Sequence, residues 1–322
     1  MSKLSRRAFT FSLPAASIAA VSTISAPVES ARAQTVSAKT VIPLAQVSIG
    51  RFKVTALSDG YADMPFGYFP GRTAPEIEQA AVAAFASKHG GIRFMFNQYL
   101  VDDGERRILI DTGPAGTLGK SGQLPEALQS IGVRADSIGA VIITHMHQDH
   151  MGGLVAGGRA NFPGADVYVD RRDVAYWTDP ARRAAAPGFL KSSFDISTEM
   201  VRLYPKLQAM DGERQISRGV SIVDLTGHTP GHIGVRIEGG GQSLLMVSDM
   251  LFPVVHPAAA DVGFLFEQDR AAAHDMRARF IPKAAEEKAL IAATHMPFPG
   301  LGRIVSDGGK LHWLTADWAH QE

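Results

Sequence analysis

Apolar residues come in short bursts along this chain, and most bursts end on a polar or glycine-containing turn. "VSIGRFKVTALSDG" (47–60) reads as a strand that closes in a turn. "IRFMFNQYLVDDGERRILIDTG" (92–113) sets two apolar runs either side of "DDGERR", the pattern of a β-hairpin. Helical spacing is expected over 75–88 and 122–131, and "AVII" opens a short buried strand over 140–144. "GADVYVD" (164–170) is the next strand, with helices near 171–178 and 196–209. Four more strands are expected at 219–225, 232–239, 242–250 and 289–295, with a helix over 268–287 before the last. Strands in both halves with helices between them indicate an α/β chain, and no solenoid-like repeat breaks the pattern.

The first 33 residues do not fit that pattern. "SRRAF" (5–9) precedes a mildly apolar stretch and "ARAQ" offers a small-residue cleavage site after Ala33, so an export signal is expected over 1–33. Pro14 and several Ser and Thr residues make that stretch too polar for a membrane span. The paired arginines resemble a twin-arginine signal, which implies a periplasmic or secreted protein. A linker over 34–46 and one domain over 47–322 complete the expected organisation.

Composition narrows the chemistry. With 32 basic and 32 acidic residues in 322, the chain has no basic excess of the kind that nucleic-acid binding needs. No further segment is long and apolar enough to span a bilayer, so the mature chain is expected to have no membrane span. Cysteine is absent, which removes disulfides, thiolate ligands and a thiol nucleophile. Any metal must therefore be held by His, Asp or Glu.

"HMHQDH" (145–150) supplies such groups at unusual density in a chain with only 11 histidines. His145 and His147 lie two apart, so an extended backbone turns both to one side. Asp149 and His150 follow in the turn and can face a neighbouring point. Imidazole and carboxylate suit zinc or a similar divalent ion. Four candidate ligands exceed what one open site takes, which suggests two metal positions sharing the loop. His228 in "GHTPGH" (227–232), Asp249 in "VSDM" (247–250) and His295 in "ATHMPFPG" (293–300) each stand at a strand end.

This order of motifs resembles the metallo-β-lactamase superfamily. "ALSDG" (56–60), "YLVDDGERRILIDTGPAG" (99–116) and "ITHMHQDHMGGL" (143–154) are similar to its organophosphate hydrolase and lactonase branch, the methyl parathion hydrolase type in particular. The resemblance implies an αββα sandwich of two mixed sheets with helices outside. It implies two divalent ions, zinc first, with manganese, cobalt or iron as alternatives. His145, His147 and His228 would hold one ion, Asp149, His150 and His295 the other, with Asp249 bridging and Asp111 orienting the histidine loop. The implied reaction is hydrolysis of a phosphotriester by a metal-bridging hydroxide, with Asp149 and Asp249 as the catalytic carboxylates. A lactonase, including N-acyl-homoserine lactones, is the alternative, and a non-catalytic periplasmic metal-binding protein is a third. A homodimer is compatible with these residues.

By the same resemblance Leu118, Trp177 and Leu190 would line the substrate pocket; Phe252 and Phe298 are further candidates for its apolar wall, although core packing is the commoner role of any single aromatic. Leu118 and Leu190 replace aromatics, which predicts a pocket less suited to aryl groups. His256 is expected on a surface loop, and Gln148 as a spacer without a role of its own.

Overall fold

The computed structural model describes residues 41–317. The expected export signal and residues 34–40 of the linker lie outside them. Residues 44–49 and 52–65 form a hairpin of strands β1 and β2, so the domain begins ahead of 47 and the single strand expected over 47–60 is two. Gly50, with φ of 55°, makes the turn that splits it. The predicted hairpin is present as β3 (Gly91–Asp102) and β4 (Arg107–Ile110).

Three short parallel strands extend this sheet: β5 (Ala140–Ile142), β6 (Asp166–Asp170) and β7 (Gln208–Met210). The order is β1-β2-β3-β4-β5-β6-β7, antiparallel to β4 and parallel beyond it. A second sheet runs β8 (Arg214–Ser217), β9 (Val220–Asp224), β10 (Ile233–Gly239), β11 (Gln242–Met246), β12 (Leu290–Ala292), β13 (Leu301–Asp307) and β14 (Lys310–Thr315). Only β11 and β12 pair in parallel there, so both sheets are mixed.

The two-residue period of strand side chains separates the layers. Val101, Ile108, Ile110, Ala140 and Ile142 face Val235, Ile237, Leu244 and Met246 in the core between the sheets. Leu100, Leu109, Val141 and Val167 point the other way, into a core shared with α2 (Leu124–Ser130) and α6 (Lys191–Leu203). Ile291 and Ile304 pack outward under α7 (Arg270–Glu286), against Ile281 and Ala284. Strands buried on both faces need helices outside, and the expected αββα sandwich results.

Local chemistry starts the remaining helices. Thr73 and Glu76 form a reciprocal capping box at α1 (Ala74–Ala83), and Asp170 accepts the Arg172 amide at the start of α4 (Arg171–Trp177). The helix expected over 196–209 is displaced. It begins at Lys191 and stops at Leu203, and residues 208–210 are strand β7. Among the described residues no helix is long and apolar enough to cross a membrane.

His256 is buried rather than on a surface loop. Its Nδ1 accepts the Phe252 amide at 3.0 Å and its Nε2 donates to the Val262 carbonyl at 3.0 Å, so the neutral ring pins the segment 252–262. Burial, reinforced by Arg277 and opposed by the Val262 carbonyl and then Asp261, holds its pKa down at about 3. The folded value lies below the unfolded one of 6.5, so this stability is complete above pH 6.5 and is lost as pH falls toward 3. Between pH 6.5 and pH 5 the wild type should lose about 2 kcal/mol that His256→Gln does not lose. Urea unfolding of both proteins at several pH values checks this, and identical pH dependence would contradict it.

Candidate metal centre

The seven predicted side chains converge at one end of the two sheets. The loop after β5 carries His145, His147, Asp149 and His150, with His150 and Asp149 on the short helix α3 (Gln148–Met151). The loop between β9 and β10 brings His228, the turn after β11 brings Asp249, and the loop after β12 brings His295. Six of the seven are buried, and Asp149 is partly exposed.

Their geometry divides them into two groups. His145 Nε2 and His228 Nε2 lie 2.9 and 3.1 Å from His147 Nδ1. Asp249 Oδ2 stands 3.2 Å from His228 Nε2, while its Oδ1 stands 3.1 Å from both His150 Nε2 and His295 Nε2. Asp149 Oδ2 is 3.5 Å from His295 Nε2 and 3.7 Å from His150 Nε2. Asp249 Oδ2 is also 3.2 Å from His295 Nε2, so the carboxylate stands between the two groups and contacts both. Donor atoms of His145, His147, His228 and Asp249 fall within 4.8 Å of one another, as do those of Asp149, His150 and His295.

The outer ring nitrogens show which tautomers face inward. His150 Nδ1 donates to Asp111 Oδ2 at 2.8 Å, and His295 Nδ1 donates to the Met95 carbonyl at 2.8 Å. In their neutral forms both rings present an Nε2 lone pair to the cluster, and His150 Nε2 has no hydrogen-bond partner. Convergent lone pairs in a buried site repel unless a cation lies among them, so the donor set fits divalent metal.

Protonation follows the same geometry. Burial, together with the neighbouring imidazoles, holds His145 and His147 well below the ordinary histidine value. Burial also lowers His150, but Asp249, Asp149 and Asp111 outweigh it and lift the ring well above that value. Burial raises Asp249, and the rings of His295, His150, His228 and His145 outweigh it and hold the carboxyl well below its usual range.

Asp111 sits where the sequence resemblance placed it, beside the histidine loop. Besides His150 it accepts the Thr144 amide and hydroxyl, each at 2.8 Å. Its backbone is left-handed, with φ of 58°. Thr144 is more than a connector, since its hydroxyl also lies 2.9 Å from Ser248 Oγ and 3.2 Å from His145 Nδ1. Gly153 lets this loop lie flat, because a Cβ there would stand 2.2 Å from the Thr112 carbonyl oxygen.

The cleft above Asp149, Asp249 and His295 has a volume of about 520 Å³. Leu118 lines it as expected. Trp177 does not: it is fully buried behind His147, ring centroids 5.0 Å apart, and packs on Phe194 of α6. Leu190 is turned into the same helical core, and its neighbour Phe189 faces the cleft instead, 4.9 Å from Phe266. Phe252 is buried beneath the cleft, stacked on Phe94 at 5.5 Å, and Phe298 packs at the core between the sheets.

The cleft is nevertheless aromatic, because Tyr68, Phe94, Phe189, Phe264 and Phe266 line it. Phe264 and Phe266 stack at 5.2 Å. These aromatics come from positions with no motif around them, away from the Leu118 and Leu190 positions on which the expected unsuitability for aryl groups rests. Gln148 is no mere spacer: it lines the cleft and takes a hydrogen bond from Ser192. Among the lining residues there is no Lys or Arg.

Layers and cluster together define a class: α/β sandwiches that gather metal-binding His and Asp residues at the sheet ends. The chain belongs to the Metallo-beta-lactamase superfamily, whose family profile it matches over residues 92–307. It is 24% identical over 193 residues to a probable metallo-hydrolase of Mycobacterium bovis, covering 50% of this chain and 58% of that protein. It is 26% identical over 160 residues to the N-acyl homoserine lactonase AiiB of Agrobacterium fabrum, covering 47% of this chain and 56% of that one. The matched region thus spans little more than half the length of these curated relatives. Among solved structures, the hydrolase AbOPH superposes with a TM-score of 0.81 at 26% identity, covering 88% of this chain and all of that one (100%). The dizinc quorum-quenching lactonase AidC shares the fold, with a TM-score of 0.80 at 24% identity over 87% of this chain and 99% of that one.

Asp111 yields a test that needs no metal. Asp111→Ala strands the Thr144 donors and puts alanine in a left-handed backbone, at a cost of about 2–4 kcal/mol. Asp111→Asn tolerates that backbone and keeps one acceptor, so it should lose less than half as much. Urea unfolding of the metal-free proteins measures both losses, and equal ones would contradict this account.

Proposed function

We propose that this protein is a hydrolase that works with two divalent ions, zinc first, on neutral ester substrates with an apolar body. The observation that carries the reading is the Asp249 carboxylate, which contacts His228 of one histidine group and His150 and His295 of the other beneath one open cleft. His145, His147 and His228 would hold one ion, and Asp149, His150 and His295 the other, with the Asp249 carboxylate shared. Bound divalent ions supply Lewis acidity and make hydroxide available near neutral pH.

The chain's own residues do the rest. Asp111 and the Met95 carbonyl fix the His150 and His295 rings through their outer nitrogens. Asp149, the partly exposed member of the set, lines the floor of the cleft and is the carboxylate placed to exchange a proton with a substrate oxygen. The aromatic walls bind the apolar body and keep water from it. A cleft without Lys or Arg favours neutral substrates over anionic ones, which argues against a carboxylate-bearing β-lactam or a nucleic acid.

An organophosphate triester is the first substrate class, supported by the resemblance of "YLVDDGERRILIDTGPAG" and "ITHMHQDHMGGL" to the organophosphate hydrolase and lactonase branch and by the aromatic walls. A lactone is the second, supported by the similarity to AiiB. The paired arginines of "SRRAF" support export to the periplasm as part of the same reading.

Zinc-loaded protein assayed on a paraoxon-type ester and on N-acyl homoserine lactones of increasing chain length tests the reading. Hydrolysis of at least one class, lost on chelation and regained with zinc, is expected. Two bound equivalents with no turnover across the panel would favour a metal-binding protein without catalysis. Phe189→Ala and Phe266→Ala should raise KM roughly tenfold for the bulkiest accepted substrate and leave kcat nearly unchanged. Steady-state kinetics on the two variants measures that split.

A further inference from the structure

Asp173 belongs to none of the groups described above, yet it is a fully buried carboxylate close behind them. It lies in the first turn of α4, one turn before Trp177. Its Oδ2 accepts the amide of Met146 at 2.8 Å and the hydroxyl of Thr229 at 2.9 Å, and its Oδ1 accepts the amide of Gly231 at 2.6 Å. Met146 is the residue between His145 and His147, and Thr229 follows His228. A single carboxylate therefore ties together the two loops that carry the three histidines of one group.

The contact is built closely. A Cβ on Gly231 would stand 2.7 Å from the Asp173 amide nitrogen and 2.9 Å from the Asp170 side chain, so only glycine lets the second loop approach this far. Asp111 does the corresponding work on the other side, through His150. Burying a carboxylate is costly unless its oxygens are well satisfied, and three donors on two chain segments satisfy this one.

We propose that Asp173 is the positioning residue for the His145, His147 and His228 group, as Asp111 is for the group containing His150. Asp173 touches no ligand ring. It acts by fixing the backbone on which those rings stand, and so sets how tightly that group holds its ion. This rests on the two-ion reading given above.

The test uses the full chain loaded with two equivalents of zinc and titrated with a competing chromophoric chelator. Asp173→Ala should release one equivalent at about 10- to 100-fold lower chelator concentration and leave the other within about threefold. Thr229→Val removes one of the three donors and keeps the carboxylate, so it should move the same equivalent by a smaller factor. Asp111→Asn should weaken the other equivalent, and with cobalt(II) as the probe the visible spectra of the two single variants should differ and add in the double variant.

Two results would overturn the proposal: wild-type affinities for both equivalents in Asp173→Ala and Thr229→Val, or parallel loss of both equivalents with the melting temperature. A wild-type chain that binds fewer than two equivalents would instead overturn the two-ion reading itself, together with this inference, and the wild-type titration alone reveals it.

Discussion

Ring nitrogens facing one another across about 3 Å in a buried site are the constraint on which this structure turns. His145, His147 and His228 bring three such nitrogens together, and His150 and His295 bring two more against Asp249. Without positive charge among them, the lone pairs repel and the carboxylate stays poorly compensated. Holding that arrangement requires a rigid frame that does not relax it. Two mixed sheets with helices outside provide the frame, and each ligand sits on a loop, turn or short helix that leaves a strand end.

The frame is reinforced by polar groups with exacting positions. Asp111 and Ser248 both adopt left-handed backbone next to the cluster, at φ of 58° and 47°. Such conformations cost free energy and persist where the surroundings overdetermine them. Here the overdetermination is visible: Asp111 accepts from Thr144 and His150, and the Thr144 hydroxyl meets Ser248. The cleft is held differently. His256 pins the segment beneath it, and a buried ion pair of Arg277 with Glu267 at 2.5 Å ties the segment bearing Phe264 and Phe266 to α7.

The metal cluster was legible in the residues because its chemistry is written in few letters at strict spacing. His145, His147, Asp149 and His150 are adjacent, and His228, Asp249 and His295 follow strands that periodicity reveals. The β3–β4 hairpin was legible for the same reason. The cleft was not, because Tyr68, Phe94, Phe189 and Phe266 come from segments far apart in the chain and share no period. Leu190 and Phe189 differ by one position, and only the packing of the short turn at 188–190 decides which faces the core. Asp173 had no signal beyond its place in a helical first turn; its role appears only when Met146 and Gly231 fold onto it. Strands β13 and β14 went unread because they follow the last motif, although Leu311 and Trp313 of β14 alternate with exposed neighbours.

The account stands on two ions sharing Asp249. Crystals of the zinc-loaded protein measured at the zinc absorption edge test this most directly. Two anomalous peaks are predicted, one among His145, His147 and His228 and the other among Asp149, His150 and His295, with Asp249 between them. A single peak, or peaks away from Asp249, would contradict it.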